Sequence, residues 1–178
     1  MTGENTIYIG HLAVALAAKA TTEKVPVGVL ILAAYSNDIL KIGFKAIGLE
    51  KSSNLYINVE EGIRLFSPGN MPWSHGLTMS MVWALLAALI IYLIYHDRRS
   101  AIVIGMVVAS HWFLDFIVHP AELPIFFSNS PLYGLGLWNT ATGFKFSMFL
   151  ELVMLIGGLT IYFVQRRKRA MTLVKNSQ

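Results

Sequence analysis

The sequence predicts an all-α integral membrane protein, a bundle of four to five transmembrane helices forming one domain over residues 1–178. Three observations carry this. The chain is 55% hydrophobic and only 13% charged, about half the charged share of soluble domains, and its mean hydropathy is +0.58. Several apolar runs approach or exceed the ~20 residues a helix needs to cross a bilayer. Short basic clusters flank those runs, the pattern that fixes membrane topology.

Residues 7–20 form a short apolar helix followed by Lys19, Glu23 and Lys24. At ~1.5 Å per residue it reaches only ~21 Å against a ~30 Å hydrocarbon core. It is therefore either a tilted crossing or a re-entrant segment. Pro26 opens a second run, 26–48, with glycines near its end, the expected punctuation of a helix. Residues 50–71 are polar and rich in Ser, Asn, Gly and Pro, so they should lie outside the hydrocarbon, where they could cap the bundle. The run 72–95 is the clearest span. It is closed by His96-Asp97-Arg98-Arg99, and 100–118 follows at once as an antiparallel return ended by Pro120. Residues 121–141, with two prolines and two glycines among aromatics, read as an interfacial loop, and 142–164 is the last span before Arg166 to Arg169.

With these spans, Arg98-Arg99 and Arg166 to Arg169 fall on one side. Lys19 and Lys24 join them if the first helix crosses. The expectation is a multi-pass protein of the inner (plasma) membrane with its C-terminus in the cytoplasm. The leader before residue 12 carries Glu4 and no Lys or Arg, the reverse of a secretory n-region, so the first helix is read as retained. The net charge of +4 arises largely from the juxtamembrane clusters and implies contact with membrane lipid rather than nucleic acid. Cysteine is absent, so any metal must sit on nitrogen and oxygen donors.

Ionisable side chains inside a bilayer cost about 2.5 to 3.5 kcal/mol each on insertion scales, so each needs a partner or a task. This chain places His11, Asp38, His75, His111, Asp115, His119 and Glu151 in or at its spans. His111, Asp115 and His119 are spaced i, i+4, i+8, drifting ~40° per step along one helix face. His and Asp at i, i+4 can reach one ion or water, and can equally hydrogen-bond each other. Asp38 could pair with Lys41 at i+3 instead, Glu151 could neutralise Lys145 or serve the cluster, and His96 should be solvated. In depth, however, four helices present His or Asp within the outer half of the membrane, and one shared polar site explains this most economically.

Gly10-His11, Asn37-Asp38, Ser74-His75-Gly76-Leu77, Ser110-His111-Trp112-Phe113-Leu114-Asp115 and His119-Pro120 follow one another in an order that resembles the membrane-bound metal-dependent hydrolases. These are small multi-pass inner-membrane proteins related to the DNA-damage-regulated hydrolase-like group. The resemblance spans most of residues 10–140. It implies an all-helical membrane fold and a divalent metal on His11, Asp38, His75, His111 and Asp115. That group tends to show a second acid near Asp38 and a second histidine near His75. This chain has Asn37 and a single histidine there, which weighs against two metals.

The function expected is metal-dependent hydrolysis of an ester or phosphoester in an amphipathic or lipid-linked substrate. Zn²⁺ is the expected ion, with Mn²⁺ and Fe²⁺ also compatible. His119 and Glu122, at the mouth, are the expected proton shuttle, and a homo-oligomer is compatible with this reading. The alternatives are an ion- or proton-coupled transporter using the same residues, and a structural or assembly protein whose polar cluster only fixes helix packing.

Overall fold

Six helices follow one another along the chain in a computed structural model that describes residues 9–51, 54–58, 63–67, 69–127 and 129–176. They are α1 (Ile9–Ala18), α2 (Val27–Ala34), α3 (Ser36–Ala46), α4 (Leu77–Tyr95), α5 (Arg98–Val118) and α6 (Ala141–Asn176). Between α3 and α4 lies an antiparallel hairpin of β1 (Asn54–Asn58) and β2 (Ile63–Ser67). Between α5 and α6 a two-residue ladder joins β3 (Leu123–Pro124) to β4 (Leu132–Tyr133), and a 3₁₀ turn at Leu137–Asn139 follows. The expected helical bundle is therefore what the chain forms.

Three helices, α4, α5 and the greater part of α6, are long and apolar enough to cross a membrane, and α2 with α3 makes a fourth when the bent pair is taken as one span. Their outward faces carry exposed Leu85, Leu89, Leu93, Ile102, Met106, Leu152 and Ile156. An apolar surface this extensive is suited to lipid rather than water.

The α4–α5 return is tight for local reasons. His96 adopts the left-handed conformation that ends α4, and Asp97 caps α5 by accepting from the Ser100 N–H at 2.9 Å. Small residues then let the pair close. A Cβ on Gly105 would lie 3.2 Å from that of Ala88, the close approach by which helices associate in lipid. Leu30, Ala34, Ala84, Ile104, Val107 and Val108 form the apolar core where α2, α4 and α5 meet.

The expected spans 26–48, 72–95 and 142–164 differ from the observed helices. The run 26–48 is a broken helix, bent by 54° at Tyr35. The cause is local chemistry that hydropathy does not register. Ser36, Asn37 and Asp38 compete for backbone groups, and the Ser36 hydroxyl donates to the Ala33 carbonyl at 2.8 Å. The final helix continues past residue 164 to Asn176, at ~1.5 Å per residue far longer than the hydrocarbon is thick, so its basic end projects beyond. α4 also begins at Leu77 rather than 72, because Pro72 to His75 form a turn in which the His75 N–H donates to the Met71 carbonyl.

α1 is too short to cross as a straight helix and is held by contacts instead. Glu151 of α6 accepts from the Ile9 N–H at 3.1 Å, capping an otherwise unpaired helix start. Neither role expected of Glu151 is what holds it here. Beneath, Gly158 brings α6 so close that an added Cβ would lie 2.5 Å from the Ala13 carbonyl oxygen. At the opposite end of α1, the Arg169 guanidinium reaches the Ala20 carbonyl at 3.3 Å and Glu23 at 3.3 Å, and Thr22 bonds Ser100 at 2.6 Å. The basic turns and the basic part of α6 thus share one end of the bundle.

Gly158 and Gly157 should respond oppositely to the same change. Gly158→Ala forces α1 off α6 and should cost about 1 to 3 kcal/mol, as overpacking does. Gly157 has open space where a Cβ would go, so Gly157→Ala should be neutral or stabilising through helix propensity. Thermal unfolding of the two variants in one detergent checks the contrast.

Candidate metal centre

The five residues expected as metal ligands enter from four local settings. α5 supplies His111 and Asp115 one turn apart, leaning the same way. His11 comes from the first turn of α1, positioned by the Glu151 cap and the Gly158 contact. Asp38 lies in the first turn of α3, aimed inward by the bend at Tyr35. His75 stands in the turn before α4.

These side chains meet. Asp115 Oδ1 lies 3.3 Å from His11 Nε2, while Asp115 Oδ2 lies 3.4 Å from His75 Nε2 and 3.3 Å from His111 Nε2. Asp38 closes the ring at 3.6 Å from His75 Nε2 and 3.9 Å from His111 Nε2. The His11 and His111 rings stack at 4.0 Å. His11, His75, His111 and Asp115 are each no more than 2% exposed, and Asp38 is partly open. Two overlapping sets of three, His11-His111-Asp115 and Asp38-His75-His111, each place one donor atom per residue within 4.8 Å of the others.

Three features suit this cluster to a cation. First, His111 Nδ1 lies 2.8 Å from the Ala34 carbonyl oxygen. A carbonyl only accepts, so Nδ1 carries the proton, and in the neutral ring Nε2 presents a lone pair to the cluster. Second, His111 Nε2 and Asp115 Oδ1 are buried with only these longer contacts and no hydrogen bond of normal geometry among the described residues, which leaves room for a further partner. Third, the closest separations of 3.3 to 3.6 Å exceed the ~2.8 Å of a charge-assisted hydrogen bond. They match the ~3.4 Å edge of a tetrahedron whose donors sit ~2.1 Å from a common centre. Buried His and Asp groups here could hold a metal ion.

The bend at Tyr35 contributes directly. It frees the Ala34 carbonyl to fix the His111 ring, an arrangement tolerated in a membrane only where protein buries it. Asn37 ties the same region to α4 by donating to the Ser80 hydroxyl at 2.9 Å. The local pair expected as a rival for Asp38 also forms, since Lys41 Nζ lies 3.0 Å from Asp38 Oδ1. One carboxylate serves both, holding a lysine at the rim and facing two imidazoles within.

His119 and Glu122 are placed differently. They pair with each other, Nδ1 to Oε1 at 2.5 Å, both buried, with the His119 ring against Trp138 at 4.9 Å. They belong to neither set of three. His119 caps α5 one turn beyond Asp115, and the drift of the i+8 spacing turns it away from His111. The loop folds back over this pair, with the Gly136 N–H donating to the His119 carbonyl at 2.7 Å. His96 is exposed in its turn.

Two residues escaped the sequence reading. Glu50, assigned to the outer polar segment, is 3% exposed and accepts from Trp73 N at 2.7 Å, Ser74 N at 2.8 Å and the Ser74 hydroxyl at 2.6 Å. Ser74 in turn bonds His75 Nδ1 at 2.8 Å. Comparison with family models, with curated proteins and with solved structures gives no match for this chain.

Elemental analysis of the detergent-purified protein should find a divalent metal close to one per chain. His111→Ala and Asp115→Asn should each lower that content at least tenfold, whereas His96→Ala should leave it unchanged.

Proposed function

We propose that this protein is a membrane-embedded, metal-dependent hydrolase acting on an ester or phosphoester of an amphipathic or lipid-linked substrate. The observation that carries the reading is the convergence of three imidazoles and two carboxylates from four separate segments into two overlapping sets of three that share His111. His11, His75, His111, Asp115 and Asp38 would hold the ion. Nitrogen and oxygen donors at this spacing suit Zn²⁺, with Mn²⁺ and Fe²⁺ as alternatives. A divalent ion there supplies Lewis acidity toward a scissile carbonyl or phosphoryl group and promotes ionisation of water.

The chain's own groups complete the chemistry. Glu122 accepts the His119 Nδ1 proton and balances the positive charge that His119 gains when it takes up a second one, so the pair can receive and return a proton beside Asp115. Burial of the cluster excludes bulk water, and Asp38, the most open of the five, marks the side of entry. By the positive-inside rule the end bearing Lys19, Lys24, Arg98, Arg99 and Arg166 to Arg169 faces the cytoplasm, which sets the cluster toward the outer face of the inner membrane. An amphipathic substrate entering from the lipid fits that depth. The resemblance of the segments around His75, His111 and Asp115 to membrane-bound metal-dependent hydrolases supports the same reading.

One observation favours a second reading, passage of a cation. Broken helices with freed carbonyls at membrane depth are a feature of transporters, and α2–α3 is such a pair. Metal-dependent flux in proteoliposomes would support it.

Hydrolysis is tested with reconstituted, metal-loaded protein on a panel of aryl esters, phosphomonoesters and lipid-linked phosphates. His119→Ala and Glu122→Gln should lose ~10² to 10⁴ in rate, the usual weight of general acid–base catalysis, while keeping their metal. A metal-loaded protein that cleaves none of the panel, or variants that keep full rate, would count against the assignment.

A further inference from the structure

The end of α3 turns sharply enough to send a charged side chain back into the bundle. Gly48 takes the left-handed conformation at φ +76°, the Leu49 N–H bonds the Phe44 carbonyl at 2.9 Å, and Lys51 and Asn70 then exchange both backbone hydrogen bonds. This glycine-ended closure is a familiar way of satisfying the last carbonyls of a helix. Here it clamps the Glu50 carboxylate beside the turn that carries His75.

The bonds around Glu50 have a fixed direction. A carboxylate only accepts, so the single Ser74 hydroxyl proton goes to Glu50 Oε2 at 2.6 Å. Ser74 Oγ is then left only lone pairs for His75 Nδ1, 2.8 Å away. The proton between them must belong to His75 Nδ1. In the neutral ring His75 Nε2 then carries the lone pair, and that atom faces Asp38 at 3.6 Å and Asp115 at 3.4 Å. We propose that Glu50 and Ser74 are positioning residues that hold His75 in the metal-binding tautomer. The inference rests on the metal reading of the cluster given above.

The arrangement resolves an asymmetry between two histidines. His111 obtains the same Nδ1–H tautomer from the Ala34 carbonyl. His75 sits in a turn, and the serine-bridged carboxylate supplies the acceptor there. The buried negative charge also strengthens His75 as a donor to a cation, the role that carboxylates behind metal-bound histidines play. A simpler function of Glu50, capping the Trp73 and Ser74 N–H groups, would account for Oε1. It would not account for the bond from Oε2 to the Ser74 hydroxyl and its continuation to the ring.

Glu50→Gln separates the two roles. The amide oxygen still accepts from the Trp73 and Ser74 N–H groups, but the amide nitrogen now donates to Ser74 Oγ. The serine proton is turned onto His75 Nδ1, and the ring is driven to the Nε2–H form, which opposes a cation. Zn²⁺ affinity of metal-stripped protein in detergent is read by chelator competition, and the His75 tautomer by ¹⁵N NMR of ring-labelled protein. Glu50→Gln and Ser74→Ala should each weaken Zn²⁺ binding 10- to 100-fold. Glu50→Gln should also move the His75 signals to the Nε2–H pattern. Thr22→Val, which breaks a buried bond at the far end of the bundle, should lower thermal stability and leave Zn²⁺ affinity unchanged. Wild-type protein that binds Zn²⁺ as tightly as both variants would overturn the relay alone. Wild-type protein that binds no Zn²⁺ would overturn the metal reading and the relay with it.

Discussion

Asp115 is a carboxylate almost wholly removed from solvent, on a helix whose outward face is built for lipid, and its charge has to be balanced where it lies. In such a medium an uncompensated charge costs several kcal/mol. Three imidazole nitrogens stand within 3.4 Å of its two oxygens, and His111 Nε2 presents a lone pair whenever that ring is neutral. A bound cation would answer both demands at once, balancing Asp115 and turning acceptors that repel one another into ligands. Much of the rest of the architecture follows from delivering those atoms to one point.

The delivery explains departures from a plain helical bundle. α1 is too short to span, yet it is seated by the Glu151 cap at its start, by contact with Gly158 along its length and by Arg169 at its end. Those contacts set the depth of His11. The break at Tyr35 gives up regular hydrogen bonding in the middle of an apolar run, and in return the Ala34 carbonyl orients His111 while α3 turns Asp38 inward. The turn before α4 keeps His75 off the helix, where Glu50 and Ser74 reach its far nitrogen. Irregular backbone gathers where the polar side chains gather, as expected when a site rather than a span governs local structure.

The parts of this design differ in how far they could be read from residues alone. The membrane class and helices α4, α5 and α6 are written in the length of apolar runs and in the caps beside them, and the cost of burying ionisable groups in lipid singles out His11, Asp38, His75, His111, Asp115, His119 and Glu151, of which the family resemblance implied the first five as ligands. The break at Tyr35 was not legible because Ala33 to Ser36 interrupts hydrogen bonding without interrupting hydropathy. Glu50 was hidden for a different reason. An acid in a polar segment looks solvated, and only the turn at Gly48 and the bridge from Lys51 to Asn70 return it to the interior. The pairing of His119 with Glu122 depended on how the loop after Pro120 folds back, which no periodicity encodes. Glu151 had two sequence-level partners on offer and took the backbone start of α1, a group that sequence patterns do not rank.

The most direct measurement is X-ray absorption at the metal edge of the purified, metal-loaded protein. The account predicts a first shell of nitrogen and oxygen scatterers at ~2.0 to 2.1 Å, with the outer-shell multiple scattering of more than one imidazole, lost when His111 is replaced. A spectrum of oxygen scatterers alone, without the imidazole signature, would show that the ion sits elsewhere and that Asp115 is balanced by protons.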